Sequence, residues 1–166
     1  MHENSSQVGY TNVTNYSVSG TSTREWKTKI NEISLVGYDY VTIMLGTNDC
    51  QGSIPVSEYV ANLKIIADKI ISDGAIPVFD VFPIFTSPNV SGVKGVTTTN
   101  YNLHAKYTQA LKVFCLKNGY LYGNGRKNFG TNIKWYGDNI HPTEHGQIGK
   151  IASWVEVINR DVLTRL

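Results

Sequence analysis

The chain has 166 residues, enough for one domain with a real buried core. Hydrophobic residues make up 41% and charged residues 17%, which excludes a disordered chain. The net charge of +2 and pI near 8.5 are too mild to argue for nucleic acid or an anionic membrane as partner.

Two cysteines, Cys50 and Cys115, are too few for a disulfide scaffold and are expected as buried thiols. No stretch approaches the roughly 18 apolar residues of a membrane span. The polar start, MHENSSQVGYTN, lacks the charged-then-apolar layout of a signal peptide, so the compartment stays open.

Short β-rich runs alternate with longer helical ones. NVTNYSV (12–18) has the composition of a strand ending at Ser19-Gly20. Residues 22–33 are predicted as a helix, with Ser22 or Thr21 as N-cap and Glu25 placed for a capping box. YDYVTIMLG (38–46) is a near-continuous apolar, β-branched run of the kind buried on both faces of a parallel sheet. Residues 55–73 carry one apolar stripe (Val56, Tyr59, Val60, Leu63, Ile66, Ala67, Ile70) and stop at Gly74.

AIPVFDVFPI (75–84) is a second buried strand, followed by a Ser/Pro/Asn/Gly-rich loop to about residue 97. Helical spacing returns over 98–117, closed by Asn118-Gly119, and Tyr120-Leu121-Tyr122 is a short strand. After a long polar loop, residues 143–164 form a last helix, with Ile148, Ile151, Ala152, Val155 and Ile158 expected to face inward. Strand–helix alternation predicts a parallel sheet covered on both sides, a three-layer α/β/α sandwich. Ligand sites in such sheets lie beyond the carboxyl ends of the strands.

At that edge Asp138 and His141 stand three residues apart, just ahead of the last helix. A carboxylate so placed can orient an imidazole and hold its tautomer while the other ring nitrogen acts as a general base. Gly46-Thr47-Asn48-Asp49 follows the 38–46 run directly. A side-chain amide or a freed backbone N–H at such a tip can donate to a developing oxyanion. Turn formation or helix capping is the bland alternative for Asn48 and Asp49.

These blocks resemble the SGNH hydrolases, the GDSL-type esterase and lipase superfamily. VTIMLGTND (41–49) is similar to its Gly-x-Asn-Asp block, NYSVSGTST (15–23) to its glycine block and DNIHP (138–142) to its Asp-x-x-His-Pro block. All three occur in the family's order. The resemblance implies a flavodoxin-like sandwich and cofactor-free, metal-free ester hydrolysis through an acyl-serine. It implies His141 as base, Asp138 as its orienting residue, and Gly20 and Asn48 as the oxyanion hole. Gly46 and Asp49 are implied as supporting residues. A small acyl ester, such as an acetyl group on a carbohydrate, is the substrate class expected.

The family's Gly-Asp-Ser block, with the nucleophilic serine at the end of a first strand, has no counterpart in these residues. Ser5 and Ser6 follow Met-His-Glu-Asn with no strand to mount them, and Ser17 and Ser19 belong to the glycine block. The expectation is a single domain over 1–166 that is N-terminally incomplete, with its first strand and serine missing. Two alternatives stand beside it: an inactive module of the same fold that binds carbohydrate or a protein partner, or a strand and serine supplied by another chain. Each leaves an uncovered strand edge near 12–18, and such edges invite association. His145, one turn beyond His141, has no third partner for a metal. His104 is expected at the surface or half-buried. The loop aromatics Phe82, Phe85, Tyr101, Trp135 and Tyr136 border the expected site.

Overall fold

The computed structural model describes residues 12–80, 98–125, 133–137 and 141–165, and the structural statements made below concern those residues. Helix α1 (Thr23–Lys29) starts as its sequence demands. Ser22 is the N-cap, with its hydroxyl on the Arg24 N–H, and Glu25 reaches back to the Ser22 N–H at 2.8 Å. A short 3-10 turn (Ile30–Glu32) follows. Then come β1 (Tyr40–Ile43), α2 (Thr47–Gln51), α3 (Val56–Ser72) and β2 (Ile76–Asp80). The chain continues through α4 (Thr98–Asn118), β3 (Leu121–Gly123), a 3-10 turn (Ile133–Trp135) and α5 (Glu144–Arg165).

Two helices hand the chain to the sheet by the same device. Gly74 adopts φ 90° after α3, so its N–H reaches Ile71 O and the Ala75 N–H reaches Ile70 O at 3.1 Å. Gly119 at φ 68° does likewise after α4, where the Tyr120 N–H reaches Cys115 O. A left-handed glycine satisfies the last helical carbonyls and turns the chain sharply. One residue later the strand begins.

The described sheet is parallel, in the order β1-β2-β3. Thr42 lies opposite Val78, and Val78 opposite Leu121. Successive side chains on β2 point to opposite faces. Phe79 packs with Tyr59, Leu63, Ile66 and Ile70 of α3 and Tyr107, Leu111 and Phe114 of α4. Val78 packs with Val157 and Ile158 of α5. Helices therefore cover both faces, the three-layer α/β/α sandwich expected from the alternation. The thiols of Cys50 and Cys115 are buried, and burial pushes them up to about 11 and about 12.

The structure corrects four expectations. Residues 12–18 form no strand; they run exposed to solvent, with no ladder partner among the described residues. Side chains hold them instead. The Thr14 and Tyr16 hydroxyls meet the Tyr38 hydroxyl at 2.6 and 3.4 Å, and Asn15 Oδ1 accepts the Ser17 N–H at 2.9 Å. That Asx turn competes with strand pairing for the backbone. The edge of the described sheet on this side belongs to β1.

The buried face of α5 also differs. Gly146, Lys150, Ser153, Val157 and Ile158 face inward, while Ile148 is 52% exposed and Ala152 is at the surface. Two polar side chains hold interior positions there, which shifts the face away from the apolar spacing. His104 is fully buried within α4, not half-exposed. Finally, β1 spans four residues of the run 38–46, because Leu45 and Gly46 already turn into α2.

Candidate active site

The carboxyl end of β1 runs into Gly46, whose φ of 134° only glycine adopts easily. The turn starts α2, with the Cys50 N–H on Gly46 O at 2.9 Å. Asn48 therefore stands just past the strand tip, half-buried. Its side-chain amide donates to Thr21 O at 2.9 Å. Thr21 directly follows Gly20, which sits at φ 77° in a turn closed by the Thr21 hydroxyl on Val18 O at 2.7 Å. Gly20 and Asn48 are thus neighbours in space. The amide nitrogen has two hydrogens, and Thr21 takes one of them.

Asp49 points the other way, into the protein, and is fully buried. Its two carboxylate oxygens accept the Thr23 N–H at 3.2 and 3.1 Å, and Oδ1 also accepts the Thr23 hydroxyl. Asn62 of α3 donates to that same hydroxyl oxygen at 3.1 Å. A carboxylate at the first turn of α1 is where the helix dipole favours one. Burial nonetheless raises its pKa above 3.8, against the lowering effect of the Thr23 donors. Asp49 ties the α2 turn to the start of α1.

His141 lies at the far end of the sheet. Residues 135–137 run antiparallel to 141–143, with Tyr136 bridged to Pro142. The Gly137 N–H donates to His141 O at 2.7 Å, and the Thr143 N–H donates to Trp135 O at 2.8 Å. Thr143 then caps α5, its hydroxyl accepting the Gly146 N–H at 3.3 Å. Helix α5 runs opposite to the strands. Its C-terminal Asp161 accepts from the Tyr40 hydroxyl at the amino end of β1, and Ser153 meets Asp80 at the carboxyl end of β2. The start of α5, and His141 before it, therefore stand beyond the carboxyl edge. The His141 side chain is exposed there.

A family model for GDSL-like lipases and acylhydrolases matches residues 3–147. The chain belongs to the GDSL-like lipase/acylhydrolase family. Membership makes it an esterase-type hydrolase by resemblance. No curated protein matches the sequence. Among solved structures, a lipolytic protein of the G-D-S-L family from Veillonella parvula superposes with a TM-score of 0.76 at 15% identity, covering 94% of this chain and 85% of that one. The acetylxylan esterase Axe2 from Geobacillus stearothermophilus gives a TM-score of 0.68 at 18% identity, covering 88% and 71%. A putative G-D-S-L lipolytic protein from Desulfitobacterium hafniense gives 0.71 at 14% identity, covering 91% and 84%. At such identities the likeness is one of fold.

In this GDSL-type chain, then, Gly20, Gly46, Asn48 and Asp49 gather at the tip of β1, and His141 stands at the same edge ahead of α5. Asp138, Ser5, Ser6, Phe82 and Phe85 lie outside the described residues, as does the side chain of Tyr101. Trp135 is half-buried and Tyr136 buried beside the His141 segment. His145 is exposed on α5, and no cluster of metal-binding side chains occurs among the described residues. Sequence patterning passed over Lys150 and Ser153, whose only signal was a polar pair at helical spacing on what became the inner face of α5. Among the described residues, no helix is long and apolar enough to cross a membrane.

Proposed function

We propose that the protein is a serine-type esterase acting on a small acyl ester, an acetylated carbohydrate being the best candidate. His141 takes the proton from the serine hydroxyl as it attacks the carbonyl carbon. It then returns that proton to the leaving alcohol, and repeats both steps with water to release the acid. Asp138 orients the imidazole. The Gly20 N–H and the second hydrogen of the Asn48 amide stabilise the tetrahedral oxyanion, while Gly46 and Asp49 hold that pair in register.

The observation that supports this reading is the 2.9 Å bond from the Asn48 amide to Thr21 O, which brings Asn48 beside the turn that carries Gly20. Supporting it, Axe2 has been solved as catalytic mutants in which a serine or an aspartate is replaced by alanine. That neighbour is an acetylxylan esterase, which supports the acetyl-carbohydrate reading.

No serine of this sequence is assigned as nucleophile. Ser22 is occupied as the α1 cap and Ser153 is buried against Asp80. We place the serine outside these 166 residues. The test is to express this chain and a version extended upstream, then offer each a chromogenic acetate ester and a serine-reactive phosphonate. The extended protein is expected to hydrolyse the ester and take the label, and the shorter one to do neither. Activity of the shorter chain would overturn the assignment of the serine. An inert extended protein would overturn the esterase and leave a binding module of the same fold.

A further inference from the structure

Three buried polar side chains have no part in the proposed chemistry, yet they sit directly beneath it. Asp80 ends β2 and is fully buried, and Lys150 and Ser153 of α5 are 6% and 2% exposed. Asp80 Oδ1 accepts the Gly125 N–H at 2.9 Å and the Ser153 hydroxyl at 3.2 Å. The same hydroxyl lies 2.9 Å from Lys150 O. Burial pushes the Lys150 ammonium down from its usual range, and the charge of Asp80 opposes that push.

The chain packs tightly around this group. A Cβ on Gly125 would stand 2.8 Å from Asp80 Oδ2. One on Gly123 would stand 2.8 Å from Ser153 Oγ and 3.1 Å from Ser153 O. Both positions at the exit of β3 therefore require the bare backbone of glycine. An apolar side chain would fill the place of Asp80 without the cost of burying charge. A buried polar group satisfied from several elements instead fixes a single arrangement of them.

The elements so fixed are the two flanks of the segment that carries the proposed base. Gly125 follows β3 upstream of it. Downstream, His141 is held through Gly137, Trp135 and Thr143 to the start of α5, and α5 is held through Ser153 to the same carboxylate oxygen. We propose that Asp80 is a positioning residue: one buried carboxylate, shared by Gly125 and Ser153, sets where the segment bearing His141 stands over the sheet. The proposal rests on His141 as the base. It assigns Asp80 no contact with substrate.

The experiment compares Asp80→Leu, Asp80→Asn and Ser153→Ala with Val157→Ala, which loosens α5 from the sheet through its apolar packing and leaves the Asp80 bonds in place. Turnover of a chromogenic acetate ester is measured in the serine-bearing protein. The His141 ring signal is followed by NMR, assigned by its loss in His141→Ala. Asp80→Leu should lower kcat by about tenfold to a hundredfold with KM nearly unchanged, the usual consequence of a misplaced catalytic group. It should also move or broaden the His141 signal.

Asp80→Asn keeps an acceptor oxygen for Gly125 and should recover most of both, while Val157→Ala should lower stability and leave both alone. An unaltered His141 signal and kcat in Asp80→Leu, or equal changes in Val157→Ala, would overturn the proposal. Should Asp80→Leu fail to fold, Ser153→Ala decides, because it removes one arm of the clamp and leaves the carboxylate and Gly125 in place. If instead His141→Ala retains full turnover, the base assignment fails, and the ring signal still reports whether Asp80 positions His141.

Discussion

Asp49 is a carboxylate held inside the protein against its own desolvation. Its folded pKa is raised, so the folded state keeps the proton more tightly than the unfolded state does. Its contribution to stability is then fully present below the unfolded value near 3.8 and is lost as pH rises through the folded value. Replacement by asparagine removes that titration and keeps an oxygen for Thr23. The stability advantage of wild type over Asp49→Asn should therefore shrink as pH rises from that value toward neutrality, as chemical denaturation at each pH would read. An advantage that grows over the same window would mean that the Thr23 donors outweigh burial. The neighbouring Asn48 shows what sequence can and cannot give at this scale. Its place after an apolar strand marked it as a donor, but nothing in the sequence said that its amide is steadied by Thr21 O.

Helix α3 was legible almost to the residue, because one stripe carries Tyr59, Leu63, Ile66 and Ile70 into the main core and glycine ends it. Leu63→Ala should lower the unfolding free energy by about 2–5 kcal/mol through the lost contacts and the cavity left behind. Ile71→Ala, on the exposed face of the same helix, should change it by no more than about 0.5 kcal/mol. Urea unfolding of both variants checks the contrast; similar losses would place the packed face elsewhere. Helix α5 was legible in extent and not in face. Apolar spacing favoured Ile148, whereas burial goes to Lys150 and Ser153: Asp80, far upstream, accepts the Ser153 hydroxyl, and its charge offsets part of the burial of Lys150. The segment 12–18 failed for the opposite reason. Its composition suits a strand, but strand formation depends on a neighbour that local pattern cannot supply, and its polar side chains bond Tyr38 and the segment's own backbone instead.

The sandwich as a whole follows from strand–helix alternation, and both faces of β2 are covered as that alternation requires. A parallel sheet collects its strand tips on one side, so residues far apart in sequence converge there: Gly20 and Asn48 at the tip of β1, Asp80 at that of β2, Gly125 after β3, and His141 above α5. This convergence explains why three short blocks were enough to reveal the family, and why the buried tie beneath them was not visible in any block. Loss of one oxyanion donor should lower turnover by about 10²–10³, so Asn48→Ala should remain measurably active while KM changes little. The most direct test of the chemistry is the turnover of a chromogenic acetate ester by the serine-bearing protein with and without His141→Ala. The variant is expected to fold with unchanged thermal stability and to lose both hydrolysis and phosphonate labelling. Full hydrolysis by the folded variant would contradict the assignment of His141 as base.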